Sequence, residues 1–354
     1  MNNRLVIMAP NWLGDAVMAL PAIDDVRRGR PAATIAIAAR PAIAPLFQLA
    51  RGIDETIVLD RKAWRAAAAD LGARAFDTAL LLPNSVHAAL ITYRAGIAQR
   101  WGYRTQLRGP LLTRAIDPPS GLHQVEYYQQ LVHALGFPHG DIEPRLAIGD
   151  AVRRAGARLL IEWGWDRRAP LAAIAPGAAY GGAKRWPPEY FADLASNFAS
   201  DGVQTVMIGS AADVSTTTGV ARAFPPSRNA STDRRSLGGD GQARVGGAES
   251  AALHLIDLVG KTDLPTLAGV LAHCRALVTN DSGAMHLAAA AGVPVTAVFG
   301  PTNDLATRPM GDAHAIVTND VWCRPCMLRE CPLDHRCLRG VSAAAVVAAA
   351  RRTL

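Results

Sequence analysis

The sequence predicts an α/β protein made of two Rossmann-like halves, with parallel sheets that face a central cleft. The first observation is size, because 354 residues, 50% hydrophobic and 19% charged, can bury two substantial cores. The second is the repeated alternation of strand-sized apolar runs with helical stretches, which is typical of parallel sheets built from βαβ units. The third is a set of polar loops directly after predicted strands, where open α/β sheets bind ligands.

The first domain is predicted to comprise residues 1–165. It opens with an apolar strand at 4–9 (RLVIMA), a loop, and a helical pattern at 15–28. Alanine-rich helical stretches separate the further strand candidates, which lie at 34–38, 56–59 and 78–82.

A second alternation follows the helix-like segment 151–165 (AVRRAGARLLIEWGW) and predicts a second domain of residues 166–339. The stretch 224–250 is rich in Gly, Ser, Pro and Arg, so we interpret it as a mobile insertion loop. The alanine-rich end, 340–354, is expected to form a helix that packs back on the first domain. Strand candidates of the second domain lie at 171–175, 204–208, 276–279 and 295–299, and helical patterns at 188–199, 264–273 and 282–291.

The charge distribution predicts an anionic partner. Thirty-seven Lys and Arg against 30 Asp and Glu give a net charge of +7, which attracts nucleotides, phosphorylated lipids or nucleic acid. No acidic residue lies between Asp77 and Asp117, and this acid-free segment is either an anion-binding face or a solvated basic surface. Its arginines are Arg94, Arg100, Arg104, Arg108 and Arg114.

Two classes of protein are disfavoured. No apolar run reaches 18 residues and the amino terminus lacks a secretory cleavage pattern, so a cytosolic chain is expected. The sequence has no helix-turn-helix, zinc-finger or RNA-recognition signature, and its 6% aromatic content supplies little material for base stacking. We therefore expect no nucleic-acid partner.

The loop Asn11-Trp12-Leu13-Gly14-Asp15 places a carboxylate at the carboxyl end of the first predicted strand. Asp15 is therefore a candidate for chemistry in the cleft. The same pattern also fits an N-cap aspartate that closes the first helix, and the local sequence leaves both interpretations open.

Two segments of the second half are candidates for binding phosphate. The loop from Gly177 to Lys184 has small residues that let backbone amides approach an anion, although a plain surface turn fits it as well. In 278–301 (VTNDSGAMHLAAAAGVPVTAVFGP) a helix amino terminus follows a strand, and Ser282 and His286 lie one turn apart on one face. The alternative is that Asp281 or Ser282 only caps this helix and His286 is an interior histidine.

Four of the five cysteines fall in one short segment, with His335 nearby. Cytosolic thiols stay reduced, so zinc or another thiophilic metal is one hypothesis for this cluster. Only one C-x2-C pair is present, so reduced and partly buried thiols are the alternative. In either case the cluster is expected to be structural; its members are Cys323, Cys326, Cys331 and Cys337.

Three blocks together resemble a known family. They are 9–23 (APNWLGDAVMALPAI), 176–195 (PGAAYGGAKRWPPEYFADLA) and 259–302 (VGKTDLPTLAGVLAHCRALVTNDSGAMHLAAAAGVPVTAVFGPT). In order and spacing they resemble the ADP-heptose:lipopolysaccharide heptosyltransferases of glycosyltransferase family 9, most closely the heptosyltransferase II branch. The resemblance implies a glycosyltransferase-B fold, with the acceptor on the first domain and the nucleotide sugar on the second.

The resemblance also implies an inverting mechanism without a required cofactor or metal. Asp15 is then the general base that removes the proton from the acceptor hydroxyl, and the transition state has oxocarbenium character. Lys184 and the helix start at Ser282 and Gly283 stabilise the departing ADP. The implied donor-binding residues are Gly177, Lys184, Asp213, Gly260, Lys261, Thr262, Asp281, Ser282, Gly283 and His286.

The implied acceptor is Kdo–lipid A that carries one heptose, bound at the cytoplasmic face of the inner membrane by reversible, peripheral contact. Heptosyltransferase I or III activity, on a different core hydroxyl, is the first alternative. A nucleotide-sugar epimerase of the same fold, which would turn over the donor alone, is the second. The acceptor-binding candidates are Asn11, Trp12, Gly14, Arg61, Lys62, Arg100, Arg104 and Arg108.

Overall fold

The computed structural model describes residues 3–60, 63–223 and 253–354, which form two six-stranded parallel sheets. The predicted insertion loop 224–250 and the acceptor candidates Arg61 and Lys62 lie outside the described residues. The strands of the first sheet are β1 (Arg4–Met8), β2 (Thr34–Ala39), β3 (Glu55–Val58), β4 (Thr78–Leu81), β5 (Gln99–Tyr103) and β6 (Arg114–Ile116). Those of the second are β7 (Leu171–Ala175), β8 (Gln204–Met207), β9 (Ile256–Asp257), β10 (Cys274–Asn280), β11 (Val295–Phe299) and β12 (Ala315–Thr318).

Helices cover both faces of the sheets. In the first half they are α1 (Leu13–Met18), α2 (Leu20–Gly29), α3 (Trp64–Ala73), α4 (Val86–Arg94), α5 (Gln124–Ala134) and α6 (Asp150–Glu162). In the second half they are α7 (Pro188–Ser200), α8 (Val214–Ala223), α9 (Leu264–Leu271), α10 (Gly283–Ala290), α11 (Asp304–Thr307), α12 (Arg336–Arg339) and α13 (Ala343–Arg351). Strands such as β4 and β7 are buried at every position, as expected for a parallel sheet covered on both sides.

Both sheets have the same strand order. The first runs β3-β2-β1-β4-β5-β6 and the second β12-β11-β10-β7-β8-β9, so each has one point where the order reverses. Ligands of open α/β sheets bind beyond the carboxyl ends of the strands at this reversal. The loops after β1 and β4, and after β7 and β10, are therefore the ones that this rule predicts to form the site.

The predicted strands are present within a residue or two, and the differences have local causes. The single helix predicted at 15–28 is broken into α1 and α2, because Pro21 has no N–H and fits only the first turn of a new helix. The edge strands β6, β9 and β12, and β5 next to the edge, were not predicted. They are short or, as in β5 (QRWGY), carry polar residues that hide the strand pattern.

The carboxy-terminal helix packs on the second domain, so the expected contact with the first domain is wrong. Helix α13 lies against α7, β11 and β12, and its Val346, Val347 and Ala350 join the core around Trp186. The Arg351 guanidinium also forms a bidentate ion pair with Asp201, at the end of α7.

Helix α6 precedes the predicted domain boundary but packs against α9 of the second half. The two helices meet at Gly156 and Gly269, where an added Cβ on Gly156 would lie 2.2 Å from the Gly269 carbonyl carbon. The division at residues 165 and 166 stays a prediction. Over the ranges that the structure describes, the helices lack the length and apolar character needed to cross a membrane.

Candidate active site

The two domains meet where α1 and α10 begin. A Cβ added to Gly14 would lie 2.8 Å from Cδ2 of His286, and one added to Gly283 would lie 2.9 Å from Cβ of Leu13. Both glycines therefore serve a close approach between the domains. This approach brings the loop after β1 against the loop after β10.

Asp15 lies in the first turn of α1, at the edge of the cleft. The N-cap residue of α1 is Trp12, so the interpretation of Asp15 as an N-cap is wrong. Burial raises the pKa of Asp15 to about 6, the positive charge of Lys184 opposes this rise, and the Asp281 carboxylate adds to it. The side chain thus feels two charged groups of the other domain.

Lys184 and Asp281 form a nearly buried ion pair on the second domain. The Lys184 Nζ donates to Asp281 Oδ2 at 2.5 Å, and the Thr302 hydroxyl donates to the same oxygen at 2.6 Å. The Lys184 ammonium also lies 4.6 Å from the centre of the Tyr180 ring. Asp281 therefore orients the lysine and is not the cap of α10.

The start of α10 faces the cleft with backbone N–H groups that no capping side chain occupies within the described ranges. Ser282 is the N-cap residue, and its hydroxyl lies 3.1 Å from the Thr279 hydroxyl. Free N–H groups at a helix start are suited to a diphosphate. Burial lowers the pKa of His286, one turn on, to about 4, so this imidazole is neutral at physiological pH and offers hydrogen bonds only.

The other donor-binding candidates lie at the same edge of the second sheet. A Cβ on Gly177 would lie 2.3 Å from the Asp213 carboxylate, so the two belong to one small region. Asp213 Oδ2 accepts hydrogen bonds from the backbone N–H and the hydroxyl of Ser210, at 2.9 and 2.6 Å. In the turn Gly260-Lys261-Thr262 after β9, Gly260 has a φ of +72°.

The Lys261 side chain contacts residues that lie near its own turn. Its ammonium donates to the carbonyl of Asp257 at 2.8 Å and lies 4.3 Å from the Trp163 ring centre. The structure therefore gives Lys261 partners of its own, and its donor role stays a prediction.

On the first domain, the loops after β1 and β4 present polar side chains that sequence reasoning found only in part. Asn11 and the half-exposed Trp12 follow β1 as predicted. Asn84 follows β4 and was missed; its Nδ2 donates to the Tyr127 hydroxyl at 2.8 Å. In the described part of the chain, the Oδ1 atoms of Asn11 and Asn84 are buried without a hydrogen-bond partner. The register of β1 and β4, with Met8 opposite Leu81, could have pointed to Asn84 as the neighbour of Asn11.

Two of the predicted acceptor-binding arginines have structural roles, so the acid-free segment is not one anion-binding face. Arg108 is fully buried, and its guanidinium donates to the carbonyls of Tyr103 and Pro83. Arg100 lies near the amino end of β5, away from the cleft, and donates to the Leu111 carbonyl at 2.7 Å. Both expectations are therefore corrected.

Arg104 is the exception in this segment. It follows β5, so it lies at the carboxyl edge of the first sheet, and its side chain is 59% exposed. Its ion-pair partner, Asp117, is 3.6 Å away and even more exposed. Such a pair is weak in water, so the guanidinium can exchange it for another anion.

The clustered cysteines do not form a recognisable metal centre. Cys323, Cys326, Cys331 and Cys337 line one small cavity of about 20 Å³ beside Arg336. All five cysteines of the described ranges are free thiols, and no group of three or more His, Cys, Asp or Glu side chains there is arranged to hold a metal ion. The zinc hypothesis therefore gains no support. Burial raises the pKa of the Cys337 thiol, which favours its neutral form.

Comparisons with known proteins agree with this geometry. The model of glycosyltransferase family 9 (heptosyltransferase) matches residues 64–230 and 241–336. The chain is 28% identical to lipopolysaccharide heptosyltransferase 2 of Salmonella typhimurium over 330 residues, which cover 89% of this chain and 87% of that one. It is 29% identical to lipooligosaccharide heptosyltransferase 2 of Haemophilus ducreyi over 334 residues, 89% of this chain and 88% of that one.

Among solved structures, E. coli ADP-heptose lipopolysaccharide heptosyltransferase II superimposes with a TM-score of 0.80 at 25% identity. The superposition covers 99% of this chain and 98% of that one. The predicted glycosyltransferase-B architecture, with two parallel sheets, is confirmed.

Proposed function

Because the chain belongs to glycosyltransferase family 9, the heptosyltransferases, we propose that it transfers L-glycero-D-manno-heptose from ADP-heptose to the first heptose of the lipopolysaccharide inner core. The donor and the acceptor class come from the printed names of its relatives, most of which are type 2 enzymes. The observation that carries the proposal is the pairing of Asp15 on one domain with Lys184 and Asp281 on the other.

Asp15 is the general base in this mechanism. A carboxylate with a pKa of about 6 is largely ionised at neutral pH, yet it is a better proton acceptor than an ordinary aspartate. It removes the proton from the acceptor hydroxyl as the oxygen attacks the anomeric carbon of the donor. Attack from the first domain, opposite the ADP on the second, inverts that carbon.

The departing diphosphate gains negative charge as the glycosidic bond breaks. Lys184 and the free N–H groups at the start of α10 lie at the end of the second sheet where this charge develops. Groups fixed in advance in a mostly buried site stabilise such charge without reorganising. We propose that they take the role that a divalent cation has in other nucleotide-sugar enzymes.

Acceptor binding is assigned to the first domain. Asn11 and Trp12 follow β1 and Arg104 follows β5, so all three lie at the carboxyl edge of its sheet. The exposed Arg104 offers a positive charge to an acidic Kdo sugar or a phosphate. The acceptor is anchored in lipid, so the enzyme works by peripheral contact with the cytoplasmic face of the inner membrane.

The proposal is tested by incubating the protein with ADP-heptose and monoheptosylated Kdo–lipid A, following ADP release and acceptor mass. We expect ADP only when acceptor is present, a gain of one heptose, and the same rate with a metal chelator. Asp15→Asn should lose nearly all activity but keep ADP binding. Asp24→Asn is the matched control, since burial raises the pKa of Asp24 on α2 to about 6 as well, outside the cleft.

Other outcomes of this assay would contradict parts of the proposal. Transfer to Kdo–lipid A without heptose, and not to the monoheptosylated form, would indicate heptosyltransferase I activity. Conversion of ADP-heptose without acceptor would indicate an epimerase. Full activity of Asp15→Asn would remove Asp15 as the base.

A further inference from the structure

Thr302 is a buried residue that contacts the ion pair of the candidate donor site. Its side chain is 4% exposed, and its hydroxyl shares one oxygen of Asp281 with the Lys184 ammonium. The hydroxyl thereby fixes the rotation of the Asp281 carboxylate. Because that carboxylate orients Lys184, the position of the lysine depends on Thr302.

The loop that carries Thr302 is held on both sides by one arginine. Arg324 Nε donates to the Gly300 carbonyl at 2.8 Å, and its Nη2 donates to Asp304 Oδ1 at 2.6 Å. The Arg324 side chain is only 12% exposed. The rigid guanidinium fork therefore fixes the residues two before and two after Thr302.

The same segment holds the loop that carries Lys184. The Tyr180 hydroxyl donates to the Met327 carbonyl at 2.8 Å, and the Ala183 N–H donates to the Arg329 carbonyl at 3.0 Å. We call residues 324–330 the bridging segment. Since β10 lies between β7 and β11, this segment spans the carboxyl end of β10, where Asp281 lies.

We propose that the bridging segment is a positioning element of the donor site, in which Arg324 and Thr302 hold Lys184 where the diphosphate of the nucleotide sugar binds. The inference rests on the proposed function, because it takes Lys184 as the diphosphate ligand. Neither Arg324 nor Thr302 contacts the reacting atoms; both act through Asp281 and Lys184. The proposed positioning role also gives part of the cysteine-rich segment a structural function that does not depend on a metal.

The test compares variants by titration with ADP. Thr302→Val removes the hydroxyl and keeps the shape, and we expect about tenfold weaker ADP binding, the size of one hydrogen bond to a charged group. Thr302→Ser keeps the hydroxyl and should restore most of the affinity. Thr296→Val is the matched control, because Thr296 is a fully buried residue of β11 whose hydroxyl has no partner in the described part of the chain. It should bind ADP like the parent.

A double-variant cycle separates positioning from general structure. In a Lys184→Met background, Thr302→Val should cause no further loss of ADP affinity, because the hydroxyl acts through the lysine. Arg324→Lys keeps the charge but loses the fork, and should behave like Thr302→Val. In turnover, both should change kcat and the KM for the donor, and leave the KM for the acceptor unchanged.

Two results would overturn the inference. In the first, Thr302→Val and Arg324→Lys both bind ADP as tightly as the parent. In the second, each variant weakens ADP binding in the Lys184→Met background by as much as it does in the parent. If Thr302→Val shows no cooperative melting and is therefore not folded, the ADP titrations of Arg324→Lys alone test the inference by the same criteria. Heptose transfer is not needed for these titrations. A parent that fails to transfer heptose but shows the expected coupling would refute the proposed function and keep the positioning role.

Discussion

The close contact between Gly14 of the first domain and His286 of the second can be tested with a single substitution. An alanine there would place its Cβ 2.8 Å from Cδ2 and 3.4 Å from Nε2 of His286. Carbon atoms in contact lie about 3.5–4.0 Å apart, so the two groups must separate by about 0.7 Å or more. His286 is only 6% exposed, so its ring has little room to turn, and we expect the two domains to move apart.

The expected effect of Gly14→Ala is a loss of turnover that is much larger than the loss of stability. A displacement of about 1 Å between reacting groups can cost about 100-fold in rate, so we expect kcat to fall about 10- to 100-fold. Alanine is favoured over glycine within a helix by about 1 kcal/mol, which offsets part of the overpacking cost of about 1–3 kcal/mol. The melting temperature should therefore fall by only a few degrees. ADP affinity should change little, because the donor loops belong to the second domain.

The assay is ADP release at saturating substrates, together with thermal unfolding and ADP titration. Gly149→Ala is the control, because an added Cβ at Gly149 meets no atom within 4 Å in the described ranges. It should turn over like the parent. An unchanged kcat for Gly14→Ala would show that the approach of Gly14 to His286 is not needed for catalysis and would refute the reasoning.

Two further predictions concern charged groups. The pKa of Asp15 in the folded state, about 6, is above its ordinary value of 3.8. The free energy of unfolding therefore falls as the pH rises from 3.8 to 6, because ionised Asp15 is disfavoured in the folded state. Asp15→Asn should therefore raise the melting temperature more at pH 8 than at pH 5, and the parent should lose kcat/KM below about pH 6; a pH-independent difference in melting temperature would contradict this. Arg104→Ala should raise the KM for the acceptor about fivefold with little change in melting temperature, whereas Arg100→Ala should do the reverse, because Arg100 binds backbone carbonyls. Equal effects of the two variants on the KM for the acceptor would show that the exposed position of Arg104 at the cleft edge does not distinguish it from Arg100 in acceptor binding.

Much of the fold could be predicted because its signals are local. The strands β1, β4, β7 and β11 are apolar runs bounded by loops, and buried parallel strands require such runs whatever their neighbours are. The strands β5, β6, β9 and β12 were missed because they are short or carry polar residues. The carboxy-terminal helix was placed wrongly because an alanine-rich face can pack on either domain, and only the fit of Val346 and Val347 beside Trp186 decides between them.

For the site, the sequence by itself determined which loops follow the central strands and which residue types they offer: Asp15 after β1, Lys184 after β7, and Asp281 with Ser282 after β10. Only the tertiary structure decided how these groups act, because a pKa and an ion pair depend on atoms distant along the chain. The five arginines of the acid-free segment look alike in sequence, but burial makes Arg108 a structural residue and exposure leaves Arg104 available. Thr302 gained its role in the same way, since nothing near it in sequence shows that its hydroxyl reaches the carboxylate that orients Lys184.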